Sequence, residues 1–215
     1  LSAHQFDCIF SLDKVAQFTH LHTGGTHRTF LKIKNENSNS LQRLFRKTSL
    51  FHAYTLYLEK RSFSNPRAKK IRCCSKMVMD DIRKIYQVSP DKLQVIYSSI
   101  SWEEIGQIFE QRGPVADELR EKHQINPEWS CLLFLGSGFS RKGLDVCIKG
   151  LFMLPESYHL LIVGKGSSQP YLGQASELNL SHRVHFLGPQ EDGWKYASLC
   201  KALLLPSRYE PFGRA

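Results

Sequence analysis

Four short apolar runs, at residues 131–135, 159–163, 183–187 and 202–205, constrain the fold more than any other feature. Stretches that read as helices, at 143–153, 171–178 and 194–200, separate them. Strands that alternate with helices in this way predict a parallel sheet with helices on both faces. An earlier part of the chain follows the same plan. A strand at 70–74 leads to Ser75, a fitting N-cap for a helix with Val78, Ile82 and Ile85 on one face, and Ser89-Pro-Asp91 turns the chain into a strand at 93–97. Upstream, 7–12 reads as a strand, followed by a loop rich in His, Thr and Gly through Thr29, and 35–40 as an exposed loop. A helix is expected over 49–63, with Leu50, Phe51, Tyr54, Tyr57 and Leu58 on its apolar face and Pro66 behind its end. Between the two alternations lie a transition at 98–114 and a charged helix at 116–123. The result is an α/β chain of 215 residues, with one domain over 1–105 and a second over 106–215.

Charge is distributed unevenly. Thirteen Lys and Arg stand against only Glu36 and Glu59 between Arg28 and Lys76, a balance of +11 in a chain whose total is +9. Phe45, Phe51, Tyr54, Tyr57 and Phe63 are interleaved with these cations. Such a segment suits an anionic partner: a phospholipid surface, a phosphorylated glycan or nucleic acid. A solvated basic helix with a core face is the plainer alternative. No nucleic-acid motif or regular stacking pattern accompanies it, so a nucleic-acid partner is not expected. The six cysteines lie scattered, without framework or zinc-ribbon spacing, and are expected to be reduced core thiols in a cytoplasmic protein. No apolar run approaches the length of a spanning helix and no signal peptide is present, while both ends of the sequence read as cut.

The chemistry concentrates in two loops. Phe134-Leu-Gly-Ser-Gly-Phe-Ser-Arg-Lys-Gly-Leu-Asp-Val146 is a buried strand, a glycine-rich turn, two cations and a helix start. Free helix N–H groups, their partial positive charge and Lys142 at an exposed helix mouth would cradle a phosphate. The loop is not a Walker A motif, because Leu144 stands where the Lys should follow, and Gly164-Lys-Gly166 is an incomplete dinucleotide fingerprint, with Gln169 at the third glycine position. The second loop, Leu205-Pro-Ser-Arg-Tyr-Glu-Pro-Phe-Gly213, also leaves an apolar strand, so both should face one crevice at the carboxyl ends of the strands.

Together these motifs resemble glycosyltransferase family 4, whose donor domain has an Arg-Lys-Gly helix start and later a Ser-x-x-Glu-Pro-Phe-Gly loop. Ser75-Lys76, Ile85-Tyr86, Pro90 and Lys92 through Ile96 match a pattern late in that family's acceptor domain. Gly136 through Gly143, with Leu154-Pro-Glu-Ser157 and Arg183-Val-His-Phe186, looks most like the lipopolysaccharide core glucosyltransferase I branch. The resemblance implies a GT-B fold, with two doubly wound Rossmann-like domains, both incomplete: the end of the acceptor domain, then the donor domain truncated after the Glu-Pro-Phe-Gly loop. It implies a retaining hexosyltransferase, with a nucleoside diphosphate sugar, UDP-glucose foremost, as donor and a glycan or lipid-linked glycan as acceptor. No cofactor or metal is required.

By position, Lys142 would contact the donor pyrophosphate, with Arg141 at the same mouth and Gly136, Ser137 and Gly143 around it. Glu210 would hold the sugar hydroxyls, and Pro211, Phe212 and Gly213 would complete the loop, the last two through backbone N–H groups. His27, rather than His22, is the candidate for the acceptor-domain loop that approaches the anomeric centre. Two departures stand out: Ser137 replaces the Arg of many members, and Ser98-Ser99 replaces an Asn-Gly pair. They leave room for a sugar-nucleotide-binding protein without catalysis. The basic segment, 28–76, would dock on anionic membrane, placing the protein peripherally on the inner face of the cytoplasmic membrane.

Overall fold

The computed structural model describes residues 6–36, 38–99 and 102–213. Asn37, in the loop expected at 35–40, and residues 100–101, in the expected transition, lie outside them. The chain forms two compact units: residues up to Ser99 with the stretch after Glu210, and the second unit up to Glu210.

In the first unit β1 (Phe10–Ser11) and β2 (His20–Thr23) precede three helices, α1 (His27–Glu36), α2 (Ser40–Lys47) and α3 (Leu50–Phe63). Then come β3 (Lys70–Cys73), α4 (Lys76–Tyr86) and, after a 3-10 turn at Pro90–Lys92, β4 (Leu93–Val95). All four strands are parallel in the order β1-β2-β3-β4. Leu21, Ile71 and Cys73 pack with Val78 and Ile82 of α4 and with Phe18 and Phe63. Ser75 caps α4 as expected, its hydroxyl accepting from the Val78 N–H at 3.3 Å.

Two expectations change here. The stretch before Thr29 is not all loop. Leu21 and Thr23 are buried while His20 and His22 are half-buried, a strand alternation that the polar residues hide in the sequence. The face of α3 expected in the core is instead largely outside: Leu50, Phe51, Tyr54 and Tyr57 are exposed, and the helix buries Glu59, Ser62 and Phe63. Periodicity identifies two faces of a helix, and here the covered one is the smaller and more polar.

The second unit opens with α5 (Trp102–Glu110), which occupies most of the expected transition, and α6 (Arg112–His123). There follow β5 (Ser130–Leu135), α7 (Phe139–Lys142), α8 (Leu144–Leu151), β6 (Tyr158–Val163), α9 (Gln169–Glu177), β7 (Val184–Gly188), a 3-10 segment at Gly193–Leu199 where a helix was expected, and β8 (Ala202–Leu203). The strands are parallel in the order β7-β6-β5-β8. Their side chains alternate between two cores. Leu132, Phe134, Leu160 and Ile162 meet α8 on one face. Cys131, Leu133, Leu161 and Val163 meet Ala116, Leu119 and the 3-10 segment on the other. Double-sided burial explains why these strands read as continuous apolar runs.

All six cysteines are free. Cys73, Cys74, Cys131 and Cys147 are buried and Cys200 is half-buried, but Cys8 is exposed, so it is not the core thiol expected. Burial pushes the Cys73 thiol up to about 12, which keeps the Cys73-Cys74 pair protonated and inert.

Candidate functional site

Strand order places the two chemical loops together. β6 follows β5 on one side of it and β8 joins it on the other, so the order reverses between β5 and β8. At such a switch point the loops leaving the two strands splay to opposite faces and open a ligand crevice. The loop after β5 carries Gly136, Ser137 and Gly138 into α7, and the loop after β8 carries Pro206 to Glu210.

Close backbone approach fixes this arrangement. Gly143, between α7 and α8, has φ +79°, and a Cβ there would lie 2.2 Å from the Pro206 carbonyl oxygen. Gly164 has φ +147°, and its Cβ would lie 2.3 Å from the Gly136 carbonyl oxygen. Gly164-Lys-Gly166 therefore lets the β6 loop lie against the β5 loop, where Gly138 N–H donates to the Lys165 carbonyl at 3.1 Å and Ser137 Oγ accepts from Lys165 N–H at 3.1 Å.

Lys142 is not at an exposed helix mouth. It is only 6% exposed and its stem runs beside Gly136. Its ammonium sits 2.5 Å from Glu210 Oε2. Arg141 Nη1 lies 3.3 Å from the same oxygen and donates to the Tyr209 carbonyl at 2.9 Å, while Ser207 Oγ donates to Oε2 at 3.1 Å. Burial pushes the Glu210 carboxyl up, but the hydrogen bond and charge of Lys142, with help from Arg141 and Ser207, outweigh it and hold the group below the usual carboxylate range. All three side-chain donors use Oε2, so among the described residues Oε1 is left open to a ligand. The structure brings Lys142, Arg141 and Glu210 together within the second unit.

Arg208 is a component that the sequence analysis missed. It grips Asp145 in the first turn of α8 with both terminal nitrogens, at 2.9 and 2.6 Å, and donates to the Ser140 carbonyl at 2.6 Å. Its backbone N–H donates to the Arg141 carbonyl at 2.9 Å. The hydrogen bond from Arg208, opposed by burial, holds the Asp145 carboxyl below its ordinary value. This clamp joins the Glu210 loop to the α7–α8 turn. No local pattern links residues 63 positions apart.

Pro211, Phe212 and Gly213 group with the first unit, where Phe212 packs on the core with its ring 6.0 Å from that of Tyr97. In the same unit His27 is the first residue of α1, not part of a loop. Its Nε2 lies 3.1 Å from His52 Nδ1. Burial lowers its pKa, against the raising effect of Glu59, and His52 and nearby lysines lower it further. The carboxylate of Glu59, fully buried, accepts from the backbone N–H groups of His27 and Arg28 and from the Tyr86 hydroxyl, and pairs with Lys14 at 3.0 Å. It caps the positive end of α1. His22, on β2 opposite Arg72, leaves its Nδ1 buried without a partner. Among the described residues no three His, Cys, Asp or Glu side chains group as metal ligands would.

Comparison with known proteins agrees with this architecture. Residues 115–215 match the family described as glycosyl transferases group 1. The lipopolysaccharide glucosyltransferase WaaG of Escherichia coli is 28% identical over 175 residues, which are 79% of this chain and 46% of that protein. An uncharacterized glycosyltransferase of Methanocaldococcus jannaschii is 29% identical over 147 residues, 65% of this chain and 36% of that protein. The chain thus spans less than half the length of these curated relatives. A crystal structure of WaaG, a glycosyltransferase involved in lipopolysaccharide biosynthesis, superposes with a TM-score of 0.79 at 23% identity over 98% of this chain and 56% of that one. Anabaena HepE in complex with UDP-glucose gives 0.64 at 18% identity, over 91% of this chain and 48% of that one. The matched residues span the β5 and β8 loops, and with parallel sheets on the GT-B plan the chain is similar to the group 1 glycosyltransferases over residues 115–215.

Proposed function

We propose that this chain supplies the donor loop of a retaining hexosyltransferase that moves glucose from UDP-glucose to a glycan acceptor of the lipopolysaccharide-core kind. The observation that carries the proposal is the buried Lys142 ammonium held against Glu210 at the switch point of the second sheet. In the ligand-free arrangement two cations share one carboxylate, a net charge of +1 that favours an incoming diphosphate. The donor's phosphate oxygens compete with Glu210 for Lys142 and Arg141. Glu210, released in part, then accepts hydrogen bonds from hexose hydroxyls. As the glycosidic oxygen leaves, negative charge builds on the diphosphate, and Lys142 stabilises it from a position already fixed by the fold. No divalent ion or other cofactor is needed for that step. The UDP-glucose held by the structurally similar HepE supports this choice of donor.

Binding at an anionic membrane belongs to the same proposal. α2 buries none of its residues, and Leu41, Leu44 and Phe45 are exposed beside Arg43, Arg46 and Lys47. α3 adds Leu50, Phe51, Tyr54 and Tyr57, with Arg61 donating to the Tyr57 hydroxyl at 3.0 Å. Such a surface combines apolar insertion with cations worth on the order of 1 kcal/mol each near an anionic leaflet. The protein would then work peripherally on the cytoplasmic face; among the described residues no helix is long and apolar enough to cross a membrane.

The test is Lys142→Ala in the full protein. Turnover of UDP-glucose should fall by roughly a hundredfold or more, the size of effect seen when one preorganised transition-state contact is lost. Circular dichroism should remain that of the parent. A folded variant with normal turnover would overturn the proposal, and a parent that binds UDP-glucose without turnover would make this a binding protein. Vesicle sedimentation that responds to neither salt nor anionic lipid would overturn the membrane part.

A further inference from the structure

Between α1 and α4 of the first unit lies a cavity of about 390 Å³ lined by Arg28, Thr29, Lys32, Asp81, Lys84 and Ile85. Among the described residues none of its three cations is in an ion pair, although Asp81 lines the same cavity. The Asp81 Oδ2 oxygen is buried and has no hydrogen-bond partner. A buried acceptor left unsatisfied is costly and calls for a donor. Three cations and one carboxylate leave a net charge of +2, the complement of a phosphate monoester. The lining has no aromatic ring on which a base could stack, and its volume suits a small polar molecule. We propose that this cavity is a subsite for a phosphorylated sugar: the phosphoryl group meets Arg28, Lys32 and Lys84, the Thr29 hydroxyl donates to it, and a sugar hydroxyl donates to the accessible part of the half-buried Asp81 carboxylate. The inference deepens the acceptor side of the proposed function and rests on it, because a glycan bearing a phosphate would be held here by a group other than its reacting hydroxyl.

The binding itself can be read without turnover. Calorimetric titrations with glucose 6-phosphate, inorganic phosphate and glucose would be run on the full protein carrying Lys142→Ala, which weakens anion binding at the donor loop. Glucose 6-phosphate should bind and glucose should not. Lys32→Ala with Lys84→Ala, both exposed positions, should weaken glucose 6-phosphate at least tenfold. Asp81→Ala should erase the preference for glucose 6-phosphate over inorganic phosphate while leaving phosphate bound as well or better. Three results would overturn the proposal: no binding of glucose 6-phosphate, equal binding by the double lysine variant, or a preference that survives Asp81→Ala. The loss of turnover expected for Lys142→Ala alone tests the transferase reading separately, so the two can fail independently.

Discussion

Glu59 in the first unit and Glu210 in the second each gather several donors, but the donors differ in kind. Glu59 is fully buried and accepts from two backbone N–H groups, the Tyr86 hydroxyl and Lys14. The side chain of Glu210 is 28% exposed and, among the described residues, accepts from side chains, all on one oxygen. Backbone donors in a helix N-terminus cannot leave without unwinding it. Lys and Arg side chains can turn to a phosphate at the cost of a rotamer change. A carboxylate's partners, more than its burial, therefore separate a structural capping group from one available to a ligand.

The largest effect should follow from removing the fixed partner. Glu59→Ala leaves the end of α1, Tyr86 and Lys14 unsatisfied, and should destabilise the first unit by about 3–5 kcal/mol, as breaking a buried charge network does. Urea unfolding measures this, and a loss under 1 kcal/mol would break the comparison. Glu210→Gln should act chiefly on transfer. Stability should fall by less than in Glu59→Ala, because the amide oxygen still accepts a hydrogen bond from the buried Lys142 ammonium, whereas hexose transfer should fall roughly ten- to a hundredfold, the equivalent of about 1.5–3 kcal/mol of charge-assisted hydrogen bonding. Affinity for bare UDP should rise a few-fold, because Lys142 and Arg141 are released from the carboxylate. Calorimetry with UDP beside steady-state kinetics separates the two, and a weaker UDP complex would mean that Glu210 supports the diphosphate itself.

Arg208 sharpens the contrast, since it touches neither carboxylate but ties the Glu210 loop to Asp145. Arg208→Ala should cost roughly tenfold in kcat/KM, about 1.4 kcal/mol, with the donor KM rising, while Arg208→Lys should recover only part of it because it cannot grip Asp145 with two nitrogens. The smallest effect concerns a buried group kept neutral. His159 is buried, stacked on Trp129 at 3.9 Å, with its Nδ1 3.0 Å from His185 Nε2, and burial pushes its pKa from 6.5 down to about 4. Between those values the unfolded chain binds a proton that the folded one does not, so the contribution is fully present above pH 6.5 and is lost as pH falls towards 4. Stability should drop by about 1 kcal/mol from pH 7 to about pH 5.5 on this account. Thermal midpoints of the parent and His159→Gln check it: the variant should show a flatter acid limb.

The second sheet was legible because its strands are covered on both faces, which leaves continuous apolar runs that nothing else explains. The meeting of Lys142 with Glu210 was legible too, since parallel strands deliver their loops to one edge. The first unit was less so. His20 and His22 alternate with Leu21 and Thr23 in a strand, but a pattern of His and Thr carries little hydrophobic contrast. The aromatics of α3 look like a core stripe in any count of apolar residues, and only packing reveals that Glu59 and Ser62 face inward. Burial of Lys142 was hidden for a related reason: its partner comes from a different loop, and sequence neighbours gave it the appearance of a surface cation.

The pairing of β8 with β5 also has a consequence in time. The contact between Arg141 and Glu210 spans 69 residues, and it forms only when the last strand of the sheet docks beside the first. β5, β6 and β7 can assemble by successive crossovers, each closing a shorter loop than the one that brings back β8. During synthesis the glycine turn and α7 would thus emerge and fold well before the carboxylate that neutralises them. For that interval Lys142 and Arg141 stand uncompensated, an electrostatic load on the nascent sheet that is relieved only when β8 is in place.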